Sequence, residues 1–142
     1  MVDDCVFCRI ASGVEEASVV YDDGEVLAFM DLRPVTTGHL LVVPRHASGL
    51  DALDVEAGAA VWRVAHRLAR ALRRSGVPCE GVNLFLADGE AAFQEVFHVH
   101  LHVVPRSVDD NFRIEADWRA RPREELDRTA AAVRAGLARL PS

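Results

Sequence analysis

Apolar residues, many of them β-branched or aromatic, are concentrated in five short stretches of the chain between polar and turn residues, a pattern typical of strands. These stretches lie at 18–21, 25–31, 38–43, 81–88 and 96–105. Asp22, Asp23 and Gly24 separate the first two stretches with a hairpin turn signal. Pro44 ends the third stretch, because proline has no N–H for a ladder hydrogen bond. The pattern therefore predicts five strands.

Two other segments have helical spacing. From 54 to 74, apolar residues recur every three or four positions with arginines on the opposite face, and Ser75-Gly76 follows as a stop. From 122 onward, a proline in the first turn, early acids and late arginines predict a terminal helix. Because strands and helices do not alternate regularly, we expect an α+β fold, with an antiparallel sheet of about five strands, one long helix and the terminal helix.

The stretch HVHLHVVPR, residues 98–106, carries the candidate chemistry. On a strand, His98, His100 and His102 would share one face, while the apolar residues between them face the core. A rise of about 3.3 Å per residue puts the outer two Cα atoms about 13 Å apart, too far for all three to bind one zinc ion. A solvated polar face is the ordinary alternative for one histidine, but three in register favour a site. Neutral imidazole can attack as a nucleophile near pH 7 and pass protons.

Composition limits the class of protein. The chain has 142 residues, of which 50% are hydrophobic and 27% charged, as expected for one globular domain with a core. We expect a single domain over 1–142, with its core at 5–106 and a C-terminal tail and helix at 107–142. The formal net charge of −6 argues against nucleic acid as a partner.

The sequence also predicts a cytoplasmic protein without a membrane segment. Its apolar runs are shorter than the roughly 18–20 residues of a membrane span. The first ten residues, MVDDCVFCRI, lack the basic start and apolar middle of a signal peptide. Two of the three cysteines form Cys5-x-x-Cys8, a spacing that suits metal binding or redox chemistry in a reducing compartment better than a disulfide framework.

Three stretches resemble the histidine-triad superfamily of nucleotide hydrolases and transferases. HVHLHVVPR is similar to the His-x-His-x-His signature of that family. FMDLRPVTTGHLLVVPRH, residues 29–46, is similar to the stretch in which an acidic or amide residue, a proline and Gly-His precede an apolar strand. CVFCRI, residues 5–10, resembles the amino terminus of the bacterial, zinc-containing branch. The resemblance covers most of residues 5–106 and leaves out the tail.

The resemblance implies a homodimer with joined sheets and a nucleotide, expected to be a purine nucleotide, as the ligand. The implied reaction is cleavage at the α-phosphorus of a nucleoside phosphoramidate, a dinucleoside polyphosphate or a related conjugate. By position, His100 would be the nucleophile that forms a nucleotidyl-histidine. His102 would assist the phosphate oxygens or the leaving group, and Gln94 would orient phosphate or water. Imidazoles and backbone amides can supply this chemistry without a catalytic metal.

Further residues match the family's ligand site. Asp31 matches the position that binds ribose hydroxyls, and a carboxylate can accept from two such donors, although a turn acid is an even alternative. His39 matches a recurrent histidine near the site. The residues that match the apolar walls around the base are Val6, Phe7, Ile10, Phe29 and Leu32.

Cys5, Cys8, His46 and His98 match, position by position, a Cys2His2 zinc set found in bacterial relatives. The resemblance therefore implies a structural zinc ion that pins the amino-terminal segment to one end of strand five. In that arrangement His98 is not available for proton transfer. The Cys-x-x-Cys spacing alone would also fit two cysteines that are redox-active or unpaired.

Three positions depart from the family pattern. Ala87 stands where relatives usually have Asn or Gln, Phe93 where Gly is frequent, and Glu95 where Ser or Thr is common. These departures leave open a second function, a nucleotide-binding or scaffold protein with little turnover. A metal-centred oxygenase or small-molecule binder is a third alternative, and the sequence shows no clearly placed carboxylate beside its paired histidines.

Overall fold

The computed structural model describes residues 4–141, so both ends of the expected 1–142 domain lie outside the described residues. The chain divides into two compact units, one ending at Phe112 and the other beginning at Arg113. This division falls beyond the expected core boundary at 106. That the whole chain is one domain stays a prediction.

The first unit is an α+β unit, which confirms the expected fold class. Its five strands form one antiparallel sheet. The strands are β1 (Val19–Asp22), β2 (Leu27–Met30), β3 (Leu40–Val43), β4 (Gly81–Leu86) and β5 (Leu101–Arg106). The helices of the chain are α1 (Val6–Ala11), α2 (Val55–Arg73) and α3 (Arg123–Ala138), and short 3-10 turns lie at Leu50–Ala52 and Glu90–Ala92.

The strand order is β1-β2-β3-β5-β4, so the last strand lies between β3 and β4. This register puts four side chains into one row across the sheet. Phe29 pairs with Leu41, Leu41 with His102, and His102 with Phe85. Because opposite residues in a ladder share a face, the row carries His102 onto the face that holds Phe29 and Leu41.

Each face of the sheet packs against a different helix. Val26, Ala28 and Leu40 pack against α2 through Val61 and neighbouring apolar residues. On the other face, Leu27, Phe29, Leu41 and Val43 pack around Phe7 of α1. Alternation along β2 therefore sends its side chains into two separate cores.

The predicted fifth strand, 96–105, is wrong at its amino-terminal end. β5 begins at Leu101, and residues 96–98 form a bend, so His98 and His100 precede the strand. Pro44 ends β3 and cannot donate a ladder hydrogen bond to this segment. Instead, Val99 N–H donates to the carbonyl of Ala47 over 2.8 Å. His98 and His100 still lie on the α1 side, because both rings contact Phe7.

Gly38 places His39 directly before β3. Its φ is +98°, which L side chains rarely adopt, and a Cβ there would lie 2.6 Å from Cγ1 of Val77 and 3.0 Å from Cγ of Pro105. Glycine is therefore required for this close approach.

The second unit holds a segment at 113–122 and helix α3, whose Val133 and Leu137 are exposed. Among residues 4–141, the helices are too short or too polar to cross a membrane.

Candidate active site and candidate zinc site

Four side chains from three separate parts of the first unit meet beside α1. Cys5 precedes α1, Cys8 lies within it, His46 follows β3, and His98 precedes β5. Nδ1 of His98 lies 3.4 Å from Sγ of Cys5, 3.5 Å from Sγ of Cys8 and 3.3 Å from Nδ1 of His46. Sγ of Cys8 lies 3.5 Å from Nδ1 of His46. The cluster therefore gathers the whole set that the sequence assigned to zinc.

These spacings fit a tetrahedral zinc ion. With bonds of about 2.3 Å to sulfur and about 2.0–2.1 Å to nitrogen, tetrahedral geometry separates sulfur from nitrogen by about 3.5 Å and two nitrogens by about 3.3 Å. The hydrogen bonding of His98 also fits, because its Nε2–H donates to the carbonyl of Pro44 over 2.8 Å. The lone pair of neutral His98 is therefore on Nδ1, which faces the other three residues. Four protein ligands leave no open position, as in structural zinc sites.

Burial and the neighbouring Cys5 thiol raise the pKa of Cys8 to about 11. Burial also lowers the pKa of His98, which favours the neutral, ligating form. A bound cation would stabilise the Cys8 thiolate and reverse its shift, since thiols ligate metals in their deprotonated form.

His100 lies two residues after His98, and its tautomer is fixed by the backbone. Nδ1 of His100 lies 2.7 Å from the carbonyl oxygen of His98. A carbonyl can only accept, so Nδ1 carries the proton and donates it. The lone pair of neutral His100 is therefore on Nε2. His100 is only 6% exposed, yet it lines a cavity, so this geometry supplies a buried imidazole with the free nitrogen that a nucleophile requires.

His102 has the opposite tautomer, set by His39. The N–H of Val35 donates to Nδ1 of His39 over 3.1 Å, so the proton of neutral His39 is on Nε2. Nε2 of His39 lies 2.9 Å from Nδ1 of His102 and donates to it. Neutral His102 must then carry its own proton on Nε2. The neighbouring rings of His100 and His102, with centroids 4.9 Å apart, thus present a lone pair on Nε2 of His100 and an N–H on Nε2 of His102.

The electrostatics keep this hydrogen-bonded chain neutral. Burial, together with the nearby His100 and His39 rings, lowers the pKa of His102 to about 4. Burial lowers the pKa of His39 as well, although the Asp31 carboxylate opposes that shift. His102 is therefore suited to donate a hydrogen bond at neutral pH rather than to carry a charge.

Asp31, His39 and His102 form a second cluster with the composition of a metal site. Their donor atoms lie within 4.8 Å of one another, and Oδ2 of Asp31 is 3.5 Å from Nε2 of His39. The sequence alone did not place this carboxylate beside the histidines. However, a metal on Nε2 of His39 would move the proton to Nδ1, opposite the N–H of Val35. Two donors would then face each other, so the hydrogen bonds favour a proton-bearing chain over a metal centre.

A cavity of about 810 Å³ lies on this face of the sheet. Its volume is in the upper part of the range of about 300–1,000 Å³ for small-molecule sites. It is lined by most of the residues that the sequence assigned to the nucleotide: Val6, Phe7, Ile10, Phe29, Asp31, Leu32, His100 and His102. The structure therefore brings the apolar wall, the carboxylate and two histidines to one opening. His39 is 4% exposed and binds to His102 from within the fold.

Gln94 has a different environment from its neighbours in sequence. Of the described residues, those lining the cavity include Phe93 and Glu95 but not Gln94. The Nε2 amide of Gln94 donates to the carbonyls of Ser48 and Val96 over 3.0 and 3.2 Å. Its Oε1 accepts from the N–H of Gly89 over 2.7 Å. In this arrangement Gln94 holds the loop before His98, and its expected role toward phosphate or water stays a prediction.

Sequence reasoning did not assign several other lining residues. Leu41 could have been found, because it pairs with both Phe29 and His102 and therefore shares their face. Segment 15–18 and Arg33 carry no local signal, since only the tertiary fold brings these loops to the opening. The segment that follows β2 is ordered by Asp31, whose Oδ1 accepts from the N–H of Arg33 over 2.9 Å.

The fold and the cavity together define an α+β protein with a histidine-lined ligand site. The family model for the HIT domain matches residues 12–109. The chain therefore belongs to the HIT, or histidine triad, family. Membership supports nucleotide binding and a nucleotide hydrolase or transferase activity in general.

Relatives agree with this assignment over most of the chain. An uncharacterised HIT-like protein from Mycobacterium tuberculosis is 39% identical over 135 residues, covering 94% of this chain and 93% of the relative. A crystal structure of a HIT family protein from Bacillus anthracis matches with a TM-score of 0.83 at 36% identity, covering 94% of this chain and 97% of that one. A zinc-bound histidine triad family protein from Mycobacterium smegmatis matches with a TM-score of 0.74 at 44% identity, covering 94% and 95%.

Proposed function

We propose that this protein is a nucleotidyl hydrolase or transferase that acts at the α-phosphorus of a nucleoside phosphoramidate, dinucleoside polyphosphate or related conjugate. The observation that carries the proposal is the pair of opposite tautomers in one cavity. His100 offers the Nε2 lone pair, because its Nδ1 donates to the His98 carbonyl. His102 offers Nε2–H, because its Nδ1 accepts from His39. A nucleophile therefore stands beside a donor suited to phosphate oxygens.

In the proposed first step, Nε2 of His100 attacks the α-phosphorus and forms a P–N bond. The bond from phosphorus to the leaving group breaks with its electron pair, and an amine leaving group takes a proton from solvent. The imidazole of the intermediate becomes cationic, and the His98 carbonyl that accepts from Nδ1–H favours that charge. His102 donates to the phosphate oxygens. In the second step water attacks phosphorus, the P–N bond breaks, a proton returns to solvent and the nucleoside monophosphate leaves.

The cavity also supports a purine nucleoside as the bound part of the substrate. Apolar side chains of α1, β2 and β3, among them Phe7, Phe29 and Leu41, line one wall and offer a flat base a surface to pack on. The side chain of Asp31 lines the same cavity, where it can accept from ribose hydroxyls. Binding of adenosine and cytidine monophosphates, compared by calorimetry, tests the purine preference.

The zinc-containing branch of the family is part of the same proposal. The Cys5, Cys8, His46 and His98 geometry supports a structural ion, and a zinc-bound relative has been solved. Zinc would cross-link α1 to the segments that follow β3 and precede β5. The expected homodimer is also a proposal, and analytical ultracentrifugation of the purified protein tests it.

The test of the proposed function measures AMP release from adenosine 5′-phosphoramidate and from diadenosine polyphosphates. We expect His100→Asn to lower kcat/KM by about three orders of magnitude or more while the variant stays folded and binds AMP. His66→Asn is the matched control, because His66 is an exposed histidine of α2 that stacks on Trp62. Acid-quenched wild type should carry a nucleotidyl adduct by intact mass, and His100→Asn should not. Nucleotide binding without turnover or adduct would instead support the scaffold reading.

A further inference from the structure

Phe93 has an unusual backbone for a bulky residue. It ends the Glu90–Ala92 turn with φ 69° and ψ 27°, the left-handed conformation. Such a conformation is strained for an aromatic residue and is ordinarily taken by glycine or asparagine. Because the Phe93 side chain is 87% exposed, burial of its ring does not compensate for that strain within the folded chain.

The surrounding turn imposes this conformation. The N–H groups of Phe93 and Gln94 donate to the carbonyls of Glu90 and Gly89 over 2.9 and 3.1 Å. The side chain of Gln94, only 5% exposed, binds Gly89, Ser48 and Val96. A glycine would fit the same turn without strain, so the backbone does not explain the phenylalanine. Strain that is held in place by its surroundings at a site points to a function for the side chain.

The Phe93 ring stands at the candidate site. Phe93 and Glu95 both line the 810 Å³ cavity that His100 and His102 line. The base and ribose already have partners in the apolar wall and Asp31. Phe93 and Glu95 come from a different loop, the one that leads into the histidines. They are therefore available to the part of the substrate beyond the phosphorus, which is the leaving group.

The charge around the cavity restricts what that leaving group can be. Glu15, Glu16 and Glu95 line the cavity, and the Glu15 carboxylate lies 3.3 Å from Nε of Arg9. Among the described lining residues, Arg33 is the basic one. A polyphosphate leaving group would bring several negative charges toward these carboxylates, whereas an amine would not.

We propose that Phe93 and Glu95 are specificity-determining residues that select a leaving group with an apolar or aromatic body joined through nitrogen and disfavour a polyphosphate. This inference rests on the proposed function, and it names the substrate class within it. The Phe93 ring contacts the apolar body, and the Glu95 carboxylate repels the anionic alternative.

The test compares kcat/KM for three compounds: adenosine 5′-phosphoramidate, its N-(2-phenylethyl) derivative and diadenosine tetraphosphate. Phe93→Gly and Phe93→Asn both permit the left-handed backbone and remove the ring. We expect each to lower the ratio of phenylethyl to unsubstituted kcat/KM by about threefold to tenfold, mainly through KM. Glu95→Gln should raise the ratio of tetraphosphate to unsubstituted kcat/KM by about threefold at low salt, and less at high salt.

Asn111→Gly is the matched control, because Asn111 is also left-handed, with φ 60°. We expect it to leave all ratios unchanged. Phe93→Gly should raise Tm by a few degrees through relief of strain, which is a readout independent of turnover.

Unchanged ratios in all three site variants, alongside AMP release that depends on His100, would overturn the specificity inference alone. A lowered Tm in Phe93→Gly would also count against it, since it would show that the ring stabilises the fold. Absence of His100-dependent release from every compound would overturn the proposed function and the specificity inference together.

Discussion

His39 determines which nitrogen of His102 carries the proton, and two substitutions can separate its two hydrogen bonds. In His39→Asn, the side-chain oxygen can still accept from the N–H of Val35, but the donor to His102 is lost. In His39→Gln, the amide N–H can still reach Nδ1 of His102, but the acceptor for Val35 is lost. Both bonds have ordinary lengths, 3.1 and 2.9 Å, and His39 is 4% exposed.

The structure gives a magnitude for each change. A buried hydrogen bond that loses one partner leaves the other unsatisfied, which costs about 1–3 kcal/mol. Each variant should therefore be destabilised by about 1–3 kcal/mol in urea unfolding, with a Tm decrease of roughly 4–12 °C. Thr36→Val is the local control, because Thr36 Oγ1 donates to the Pro105 carbonyl and is separate from the histidine chain.

The two variants should differ in the tautomer of His102. In ¹⁵N-labelled wild type we expect His102 protonated at Nε2 and His100 at Nδ1. His39→Gln should keep the Nε2–H form of His102, while His39→Asn should give a mixture of tautomers. His39→Asn should then lower kcat by about 10- to 100-fold with little change in KM. A wild-type spectrum with His102 protonated at Nδ1 would refute the hydrogen-bond assignment and the roles built on it.

Two further predictions concern the proposed zinc site and the response of stability to acid. Purified wild type should contain about one zinc ion per chain by metal analysis. Cys8→Ser should lose the zinc and several degrees of Tm, while Cys79→Ser, which lies outside the cluster, should change neither. Zinc-free native protein would contradict this assignment. Because burial first, then His100 and His39, lower the pKa of His102 from 6.5 to about 4, unfolding takes up a proton between these values. The contribution of neutral His102 to the free energy of unfolding is therefore complete above about pH 6.5 and falls by roughly 2–3 kcal/mol toward pH 4, after allowance for partial exposure. The urea unfolding midpoints of wild type and His102→Asn should converge as the pH falls. Midpoints that stay the same distance apart at every pH would contradict this.

Much of the fold could be predicted because its signals are local. Short β-rich stretches between turn residues located the strands to within a few residues, and the 3.6-residue period located α2, which is observed at Val55–Arg73. Helix α1 was not predicted, because six residues are too few for a period to emerge. Its Phe7 packs against Phe29 with ring centroids 5.4 Å apart, so tertiary contact stabilises it. The position of β5 between β3 and β4 depends likewise on long-range pairing.

The residues of the candidate site could be predicted from the sequence, but the ring nitrogen that carries the proton in each histidine could not. The resemblance named His39, His100 and His102, and the structure brings them together. Which nitrogen is free depends on backbone groups far away in the sequence, such as the Val35 N–H and the Pro44 carbonyl. A regular strand through 98 would have spaced the histidines evenly. The bend at 96–98 instead turns the His98 side chain toward the cysteines and leaves its carbonyl for His100.

His98 therefore links the cysteine and histidine cluster to the candidate active site, the first through its ring and the second through its backbone carbonyl. Its ring gives Nδ1 to the cysteine and histidine cluster, while its backbone carbonyl accepts from Nδ1 of His100 over 2.7 Å. Any change that rotates residue 98 therefore moves the carbonyl that fixes the tautomer of His100. Since His98 is 2% exposed and the Pro44 carbonyl holds its Nε2, the residue has little freedom to move one end alone. His98 and His100 are thus coupled, because the residue whose ring joins the cysteine cluster also supplies the carbonyl that fixes the tautomer of His100.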